Sequence, residues 1–376
     1  MILYVSKRFE TNIASQVHYK VLEDKFGVNN IYTVDLRLFD AKQKKNYIAY
    51  GKYKSKLKRI QQWLQGNTMY ISNAIIDDIC RIIYQNKIEL VFIEDSVFGS
   101  LVKRIKKQFP YIKVISFYHD MGADLFVQWA RRENWMGKIE CKLSIHQEKL
   151  NQKYCDVNIV FNKRDASLYQ KYYGKRPDAI IPISTPIPNL NQNKEWDKEK
   201  LDFVQILFVG SKYYPNIVGI RWFYNNVLPK LNKNIKLNIV GRGTEILKDE
   251  FTDSRVKIYG SVDSLAPYYL GADIVIAPLF DGGGMKTKTV EALSYGKCVV
   301  ATDEGLEGFW EEMDKSIQNK IIFKSNNIKE WINELNELSV EKPKKFNEEI
   351  FELFKRRFSY EATRKELWNL LDIENK

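Results

Sequence analysis

The chain has 376 residues, of which 44% are hydrophobic and 13% aromatic, and its formal net charge is +12. This composition supports packed cores and excludes extensive disorder, and the length suggests two domains. The lack of an apolar run of about 18 residues argues against a membrane-spanning helix. The positive charge favours anionic partners, namely nucleotides, nucleic acid or acidic lipid surfaces.

The first segment, MILYVSKRFE (1–10), has no positively charged leader before an apolar stretch. It is typical of a strand rather than a signal peptide, so we expect a cytoplasmic protein. The 4 cysteines are widely scattered and there are only 3 histidines. This pattern argues against a metal site rich in cysteine or histidine.

Short apolar runs alternate with helical patterns in both halves of the chain. Buried strands separated by helices indicate parallel sheets covered on both faces, and therefore two doubly wound α/β domains. Ligands in such sheets bind at the carboxyl ends of the strands. The predicted strands are 1–6, 31–36, 90–94, 113–118, 157–161 and 179–183, followed by 204–210, 236–241, 255–260, 273–278, 297–302 and 320–323.

The segment 42–64, KQKKNYIAYGKYKSKLKRIQQWL, is basic and contains no acidic residue. Tyrosines and a tryptophan alternate with its lysines, which suits docking on an anionic membrane surface. A solvated lysine-rich face is the alternative. Stacking of aromatic residues on bases is a third interpretation. No recognised nucleic-acid module accompanies the segment, so nucleic acid is not expected as a partner.

The segment 176–200 is rich in proline and then in charged residues, as linkers are. It divides the chain into predicted domains at 1–190 and 201–357. The C-terminal segment 358–376 is predicted to form a helix with Ser359 as its N-cap.

The loop DGGGMKTKTVEALSYG (281–296) runs from a strand into a helix whose first turn carries Lys286 and Lys288. Lysines are unfavourable at the positive end of a helix dipole. A bound diphosphate would offset both cations and accept hydrogen bonds from the helix amides. The alternative is that both lysines extend into solvent. Glu291 is suited to accept hydrogen bonds from a ribose diol, or else pairs with a lysine at the surface.

Four stretches together resemble glycosyltransferase family 4, which comprises retaining nucleotide-sugar enzymes of the GT-B fold. They are LFVGSKYYPNIVGIRWFYNNVLPKL (207–231), LNIVGRG (237–243), VKIYGSVDSLAPYYLGADIVIAPL (256–279) and GGGMKTKTVEALSYGKCVVATDEGLEGF (282–309). The resemblance implies two Rossmann-like domains that face each other across a cleft. It also implies that the second domain binds the nucleotide, and that the C-terminal helix packs back onto the first domain.

The resemblance assigns Glu291 to the ribose, Lys212 and Lys286 to the diphosphate, and His119, after the strand in SFYHD (116–120), to the donor sugar. The further residues implied to contact the donor are Gly283, Gly284, Lys288, Gly210, Ser211, Gly241, Arg242, Ser261 and Val262. The first of two glutamates common in the family is replaced by Gly283, and Asp281 is a candidate substitute. The acceptor-side candidates are Asp120, Thr11 and Asn12, although loop 7–15 lacks the paired glycines of the family.

The implied reaction is metal-independent transfer of a sugar, most simply from a UDP-sugar, with retention of anomeric configuration. His119, Lys286 and Lys212 are the expected catalytic residues, and no cofactor is expected. The expected acceptor is a glycan or lipid-linked hydroxyl in surface polysaccharide biosynthesis, reached at the inner face of the cell membrane. The alternatives are a protein glycosyltransferase and a non-catalytic partner subunit that binds nucleotide or glycan.

Overall fold

The computed structural model describes residues 1–7, 9, 12–38, 42–51, 55–131, 133–190 and 203–372. The chain forms two compact units, Met1–Pro182 with Arg364–Lys376, and Ile183–Thr363. The predicted domain ranges, 1–190 and 201–357, are separated by a segment that lies outside the described residues.

The first unit is built on an eight-stranded sheet of order β3-β4-β2-β1-β5-β6-β7-β8. All neighbouring pairs are parallel except β3 with β4. Residues of the central strands such as Leu3 and Val91 are fully buried, as strands covered on both faces must be. The strands are β1 (Ile2–Lys7), β2 (Ile31–Leu38), β3 (Lys42–Lys44), β4 (Tyr47–Gly51), β5 (Leu90–Glu94), β6 (Lys113–Tyr118), β7 (Val157–Val160) and β8 (Ala179–Ile180).

In the part of the chain that the structure describes, seven α-helices connect these strands, and several of them begin at side-chain caps. Asn12 accepts a hydrogen bond from the Ser15 amide at the start of the first helix, and Ser72 accepts one from the Ile75 amide at the start of the third. The helices are α1 (Ile13–Phe26), α2 (Lys56–Leu64), α3 (Asn73–Gln85), α4 (Gly99–Gln108), α5 (Gly122–Ala130), α6 (Trp135–Tyr154) and α7 (Lys163–Tyr173).

The second unit contains a six-stranded parallel sheet of order β11-β10-β9-β12-β13-β14. Its strands are β9 (Val204–Val209), β10 (Ile235–Val240), β11 (Val256–Gly260), β12 (Ile274–Ala277), β13 (Cys298–Ala301) and β14 (Ile322–Lys324). Its helices are α8 (Tyr214–Asn226), α9 (Ala266–Gly271), α10 (Thr287–Ser294), α11 (Ile328–Val340), α12 (Glu348–Arg357) and the first residues of α13 (Tyr360–Asp372).

Each predicted strand is present, with ends that differ by a few residues. Two strands were not predicted, namely β3 and β4, which lie in the basic segment 42–64 and extend the first sheet at its β2 edge. Strand β3 is the edge strand and has lysine at two of its three positions, and lysine is common on edge strands because it discourages pairing with other chains. Strand β4 is a short apolar run between lysines, which hide its signal.

The C-terminal helix α13 begins as predicted, because Ser359 Oγ accepts a hydrogen bond from the Ala362 amide at 3.2 Å. Its later residues belong to the first unit, where Trp368 Nε1 donates to the Val21 carbonyl at 3.1 Å. Among the described helices, none has both the length and the apolar character that crossing a bilayer requires.

Candidate functional site

The loops that follow β9 and β10 are locked together by close backbone contact. Gly241 has φ of +146°, and a Cβ added there would lie 2.2 Å from the Gly210 carbonyl oxygen. The Lys212 amide donates to the Arg242 carbonyl at 2.8 Å. Only glycine permits this approach, and it leaves Ser211, Lys212 and Arg242 exposed at the carboxyl ends of the strands. These are positions where an open α/β sheet binds ligands.

The loop after β12 turns through two glycines with positive φ, Gly282 and Gly284, before α10 begins. The Lys286 ammonium bends back over this turn. Its Nζ donates to the carbonyl oxygens of Gly283 at 2.8 Å and Gly284 at 3.1 Å. It also forms an ion pair with Glu304 Oε1 at 2.6 Å.

Glu304 therefore supplies, from within the protein, a negative charge beside the start of α10, where the sequence predicted a bound diphosphate. Together with the two carbonyl oxygens it provides an acceptor for each of the three N–H groups of Lys286. A diphosphate that binds Lys286 has to displace at least one of these acceptors.

Lys288 is buried, with 6% of its surface exposed, so the alternative in which it extends into solvent is wrong. Its Nζ donates to Asn216 Oδ1 at 2.6 Å and lies 4.4 Å from the centre of the Phe208 ring. Asn216 Nδ2 in turn donates to the Ser211 carbonyl at 3.1 Å, which links α10 to the loop after β9. Burial, and secondarily the nearby Lys286 charge, lowers the pKa of Lys288 to about 7.

Glu291 lies one helical turn beyond Lys288 on α10. Its carboxylate accepts a hydrogen bond from the Tyr269 hydroxyl at 2.8 Å, and burial raises its pKa. The alternative of a surface pair with a lysine is therefore wrong. The contact with Tyr269 holds the carboxylate in a partly buried position next to a buried lysine.

The loop after β11 is fastened by Glu245. Its Oε1 accepts from the Ser261 amide at 3.2 Å, and hydrogen bonds from backbone amides lower the pKa of this carboxyl. The Ser261 amide is thus already occupied, while its neighbour Val262 is partly exposed. Asp281 and Gly283 are likewise partly exposed, in the loop before α10.

In the first unit, His119 follows the last residue of β6, as predicted. Its Nε2 lies 2.5 Å from Glu94 Oε2, and its Nδ1 lies 3.2 Å from Asn12 Nδ2. Burial works against a charged ring, but the hydrogen bond and charge of Glu94 outweigh it and raise the pKa of His119. The ring is held on both nitrogens, with 16% of the side chain exposed.

Glu94, the last residue of β5, is buried and bound by a second histidine. His18 Nδ1 lies 2.8 Å from Glu94 Oε1, and the His18 ring stacks on Phe117 at 4.2 Å. Burial opposes ionisation of Glu94, but the two histidines, His18 first, outweigh it and lower the pKa of this carboxyl to about 2.

The ligand atoms of His18, Glu94 and His119 lie within 4.8 Å of one another, the spacing of a three-residue metal site. However, the nitrogens that face Glu94 are at hydrogen-bond distance from its oxygens. They must carry protons to bond an ionised carboxylate, and a protonated nitrogen has no lone pair for a metal. The arrangement suits a hydrogen-bonded network better than a metal centre.

Near His119, Lys7 at the end of β1 forms an ion pair with Asp95. Asp95 has φ of +106°, a strained conformation for a residue other than glycine, which is often found at functional sites. Asp120 is partly exposed beside His119, and Thr11 lies outside the described residues.

Sequence reasoning did not identify four residues that organise these sites, namely Glu304, Asn216, Glu94 and His18. For two of them, the sequence contains a feature that could have identified them. Glu94 is a charged residue at the end of a buried strand, and Glu304 follows β13 closely. His18 and Asn216 lie within helices, where nothing in the local pattern distinguishes them from ordinary polar positions.

A protein family model matches the second unit. Residues 204–340 match the family model described as Glycosyl transferases group 1. The matched range begins with β9 and ends with α11, so it includes the whole second sheet. The match identifies a glycosyltransferase domain and confirms the prediction of a glycosyltransferase enzyme.

A relative from Klebsiella pneumoniae, an uncharacterized 44.6 kDa protein in a cps region, is 31% identical over 174 residues. The alignment spans 43% of this chain and 43% of that protein.

Solved structures match over nearly the whole chain. The complex of Anabaena HepE with UDP has a TM-score of 0.71 at 12% identity, covering 99% of each chain. Sucrose-phosphate synthase from Thermosynechococcus elongatus has a TM-score of 0.69 at 13% identity, covering 99% of this chain and 98% of that one. At such low identity the likeness concerns the fold, and the predicted GT-B fold of two Rossmann-like domains is confirmed.

Proposed function

We propose that this protein is a metal-independent, retaining glycosyltransferase of family 4 that transfers a sugar from a nucleoside diphosphate, most simply UDP, to an acceptor hydroxyl. The observation that carries the proposal is the group of residues around α10. Lys286 and the buried Lys288 lie beside glycine turns at a strand end and a helix start. Glu291 lies one turn further on and is poised to accept hydrogen bonds from a ribose.

The difficult step is departure of the diphosphate, whose negative charge grows in the transition state. Lys212, Lys286 and Lys288 together with the first amides of α10 stabilise that charge. A low local dielectric strengthens the contribution of Lys288, because its amine is buried. These cations perform the task that a divalent metal performs in other transferases.

Retention follows from attack on the same face of the sugar. The bond between the anomeric carbon and the phosphate oxygen breaks as the bond to the acceptor oxygen forms. The acceptor's proton passes to the departing phosphate oxygen. His119 binds a sugar hydroxyl and so orients the reacting group.

Calorimetric titration with UDP, GDP, dTDP and UMP in the presence of EDTA tests the proposal. We expect a diphosphate to bind more tightly than UMP, and Lys286→Ala to weaken that binding by about tenfold or more, the loss of a charge-assisted hydrogen bond. The matched control is Lys233→Ala, at an exposed lysine of the same unit. Absence of diphosphate binding in the wild type, or equal loss in both variants, would refute the proposal.

We further propose that the acceptor is a glycan or a lipid-linked glycan of surface polysaccharide biosynthesis, presented at an anionic membrane surface. The location of the K. pneumoniae relative in a cps region supports a polysaccharide role. Helix α2 supports the proposed docking on a membrane surface, because three of its apolar residues are exposed. Leu57, Ile60 and Leu64 are 79%, 42% and 85% exposed. Their spacing places them on one face of the helix.

The other face of α2 is fastened to α6. Arg59 Nε and Trp63 Nε1 both contact Glu140 Oε1, at 3.0 and 2.7 Å. Trp63 also packs edge-on against Trp135, which is 65% exposed. The apolar stripe therefore points outward, next to an exposed tryptophan and within a basic segment, as in helices that lie on anionic bilayers.

Co-sedimentation with vesicles tests this docking surface. We expect the protein to sediment with phosphatidylglycerol vesicles and not with pure phosphatidylcholine, and to dissociate as salt rises. The double variant Leu57→Ser/Leu64→Ser should lose binding, while Tyr111→Ser, at another exposed apolar residue, should retain it. Equal binding by both variants would contradict the role of the stripe.

A further inference from the structure

Both ring nitrogens of His119 have partners, and the chemistry of those partners determines where its proton lies. Asn12 Oδ1 accepts a hydrogen bond from the Ser15 amide at 3.2 Å, as the N-cap of α1. The remaining polar atom of Asn12, Nδ2, is therefore an NH₂ donor, and it lies 3.2 Å from His119 Nδ1. A donor at that distance requires a bare lone pair on Nδ1.

The opposite ring nitrogen faces an acceptor. His119 Nε2 lies 2.5 Å from Glu94 Oε2, an ionised carboxylate oxygen that can only accept. Nε2 therefore carries the proton. The other oxygen of Glu94 is held by His18 Nδ1 at 2.8 Å. The carboxylate thus has a fixed orientation, in a site where its exposure is 1%.

We propose that Glu94 and Asn12 are positioning residues, which hold His119 in its Nε2–H tautomer so that Nδ1 accepts a hydrogen bond from a substrate hydroxyl. The hydroxyl takes the place of the Asn12 amide, since both are donors. The functional part of this assignment rests on the proposed sugar transfer. It makes His119 an acceptor that Glu94 orients, in the way that a buried carboxylate orients the histidine of a hydrolase triad.

Other charged groups near the ring act on its total charge without selecting the tautomer. Asp95, at the end of β5, and Asp120, in the loop after β6, both favour a second proton on His119. Lys7, from β1, pairs with Asp95 and opposes that effect. The NH₂ group of Asn12 also opposes a second proton, because an N–H at Nδ1 would face another donor.

Two substitutions disturb the arrangement in different ways. In Glu94→Gln, the amide has one acceptor, which His18 Nδ1–H occupies, and one donor, which then faces His119 Nε2. Because Asn12 Nδ2 still opposes a proton on Nδ1, each tautomer of His119 then faces one donor, and the Nε2–H form loses its advantage. In Asn12→Asp, one oxygen keeps the cap on α1 and the other draws a second proton onto Nδ1. Asn12→Ser keeps a capping oxygen and removes only the donor to Nδ1.

Ring ¹⁵N correlation spectra of the full chain at pH 8 are the direct test. The chain has 3 histidines, and His146→Gln, at an exposed position, removes one signal to aid assignment. We expect the Nε2–H form of His119 in the wild type, a mixture of the two neutral tautomers in Glu94→Gln, and a doubly protonated ring in Asn12→Asp. A wild-type Nδ1–H ring, a pure Nε2–H ring in Glu94→Gln, or a singly protonated ring in Asn12→Asp would overturn the assignment.

Transfer kinetics test the functional part. We expect kcat to fall by roughly 10²-fold or more in Glu94→Gln, the scale of acid–base and orienting contributions of a histidine, with UDP affinity unchanged. Should Glu94→Gln not fold, Asn12→Asp against Asn12→Ser makes the same comparison at a less buried residue. Expected tautomers without nucleotide binding in the wild type would reject the proposed function alone. Normal turnover in a variant that has lost the single Nε2–H form would reject the positioning role alone.

Discussion

Lys288 should take up a proton when a diphosphate binds. In the free protein its amine is buried, and neither the Asn216 amide oxygen that it donates to nor the Phe208 ring beside it carries a charge. Burial lowers its pKa to about 7. A diphosphate beside the amine favours the charged form and returns the pKa towards its ordinary value of about 10.4.

The size of the uptake follows from these two values. At pH 8 a group with a pKa of about 7 is about one-tenth protonated, and with a pKa near 10 it is almost fully protonated. We therefore expect uptake of about 0.9 proton per bound diphosphate at pH 8. By linkage, the affinity for the diphosphate should fall about tenfold as the pH rises from 8 to 9. At pH 6 Lys288 is already charged in the free protein, so its uptake should vanish.

Calorimetry of UDP binding in two buffers with different ionisation enthalpies measures the uptake. At pH 8 the ligand itself contributes little, because a phosphate monoester completes its ionisation near pH 6, a pKa of about 6. Lys288→Met keeps an apolar chain of similar length and removes the titrating amine, so the buffer dependence should disappear. An equal binding enthalpy in both buffers for the wild type would refute the reasoning.

The variant comparison also separates Lys288 from Lys297, another buried lysine of this unit. Burial also lowers the pKa of Lys297, to about 8. Its Nζ, however, donates to three backbone carbonyls, of Leu270, Ala272 and Lys345. A residue that is fully occupied by the backbone should titrate alike in free and bound protein. Uptake that persists in Lys288→Met would assign the proton to another group.

Two further changes have predictable outcomes. Glu304→Gln removes the carboxylate that neutralises Lys286, so UDP should bind about tenfold more tightly, because the diphosphate no longer competes with a carboxylate for this ammonium, an effect of about 1.4 kcal/mol. Weaker binding would contradict this competition. Gly241→Ala forces a Cβ against the Gly210 carbonyl and should lower stability by about 1–3 kcal/mol in urea unfolding and weaken UDP binding. Gly174→Ala, also at positive φ but with open space around it, is the control, and an equal loss there would show that strain alone is responsible.

The sequence determined the fold to a large extent. Continuous apolar runs such as 90–94 and 113–118 can be satisfied only as strands buried on both faces, and both are found with those bounds. The helix stop at Gly296 was also predictable, since its φ is +59° and glycine adopts that conformation at little cost. Strand β3 was missed because an edge strand rich in lysine has no apolar signature, and β4 was missed because its short apolar run lies between lysines.

The local pattern of the glycine-lysine loop indicated an anion site, but only the tertiary structure decided how its lysines are balanced. Lys286 donates to Glu304, which lies 18 positions away in the sequence. Lys288 donates to Asn216, which lies 72 positions away. Such partners come together because neighbouring strand ends converge at one edge of the sheet, and a local pattern cannot identify which of many polar residues will face the loop.

The same reasoning applies to His119. The sequence determined its place at a strand end and therefore its nearness to a ligand-binding edge. Its tautomer depends on Glu94 and Asn12, which lie 25 and 107 positions away and come from a neighbouring strand and a helix cap. The proton position is set by which neighbours donate and which accept, and that is a property of three-dimensional contacts rather than of sequence spacing.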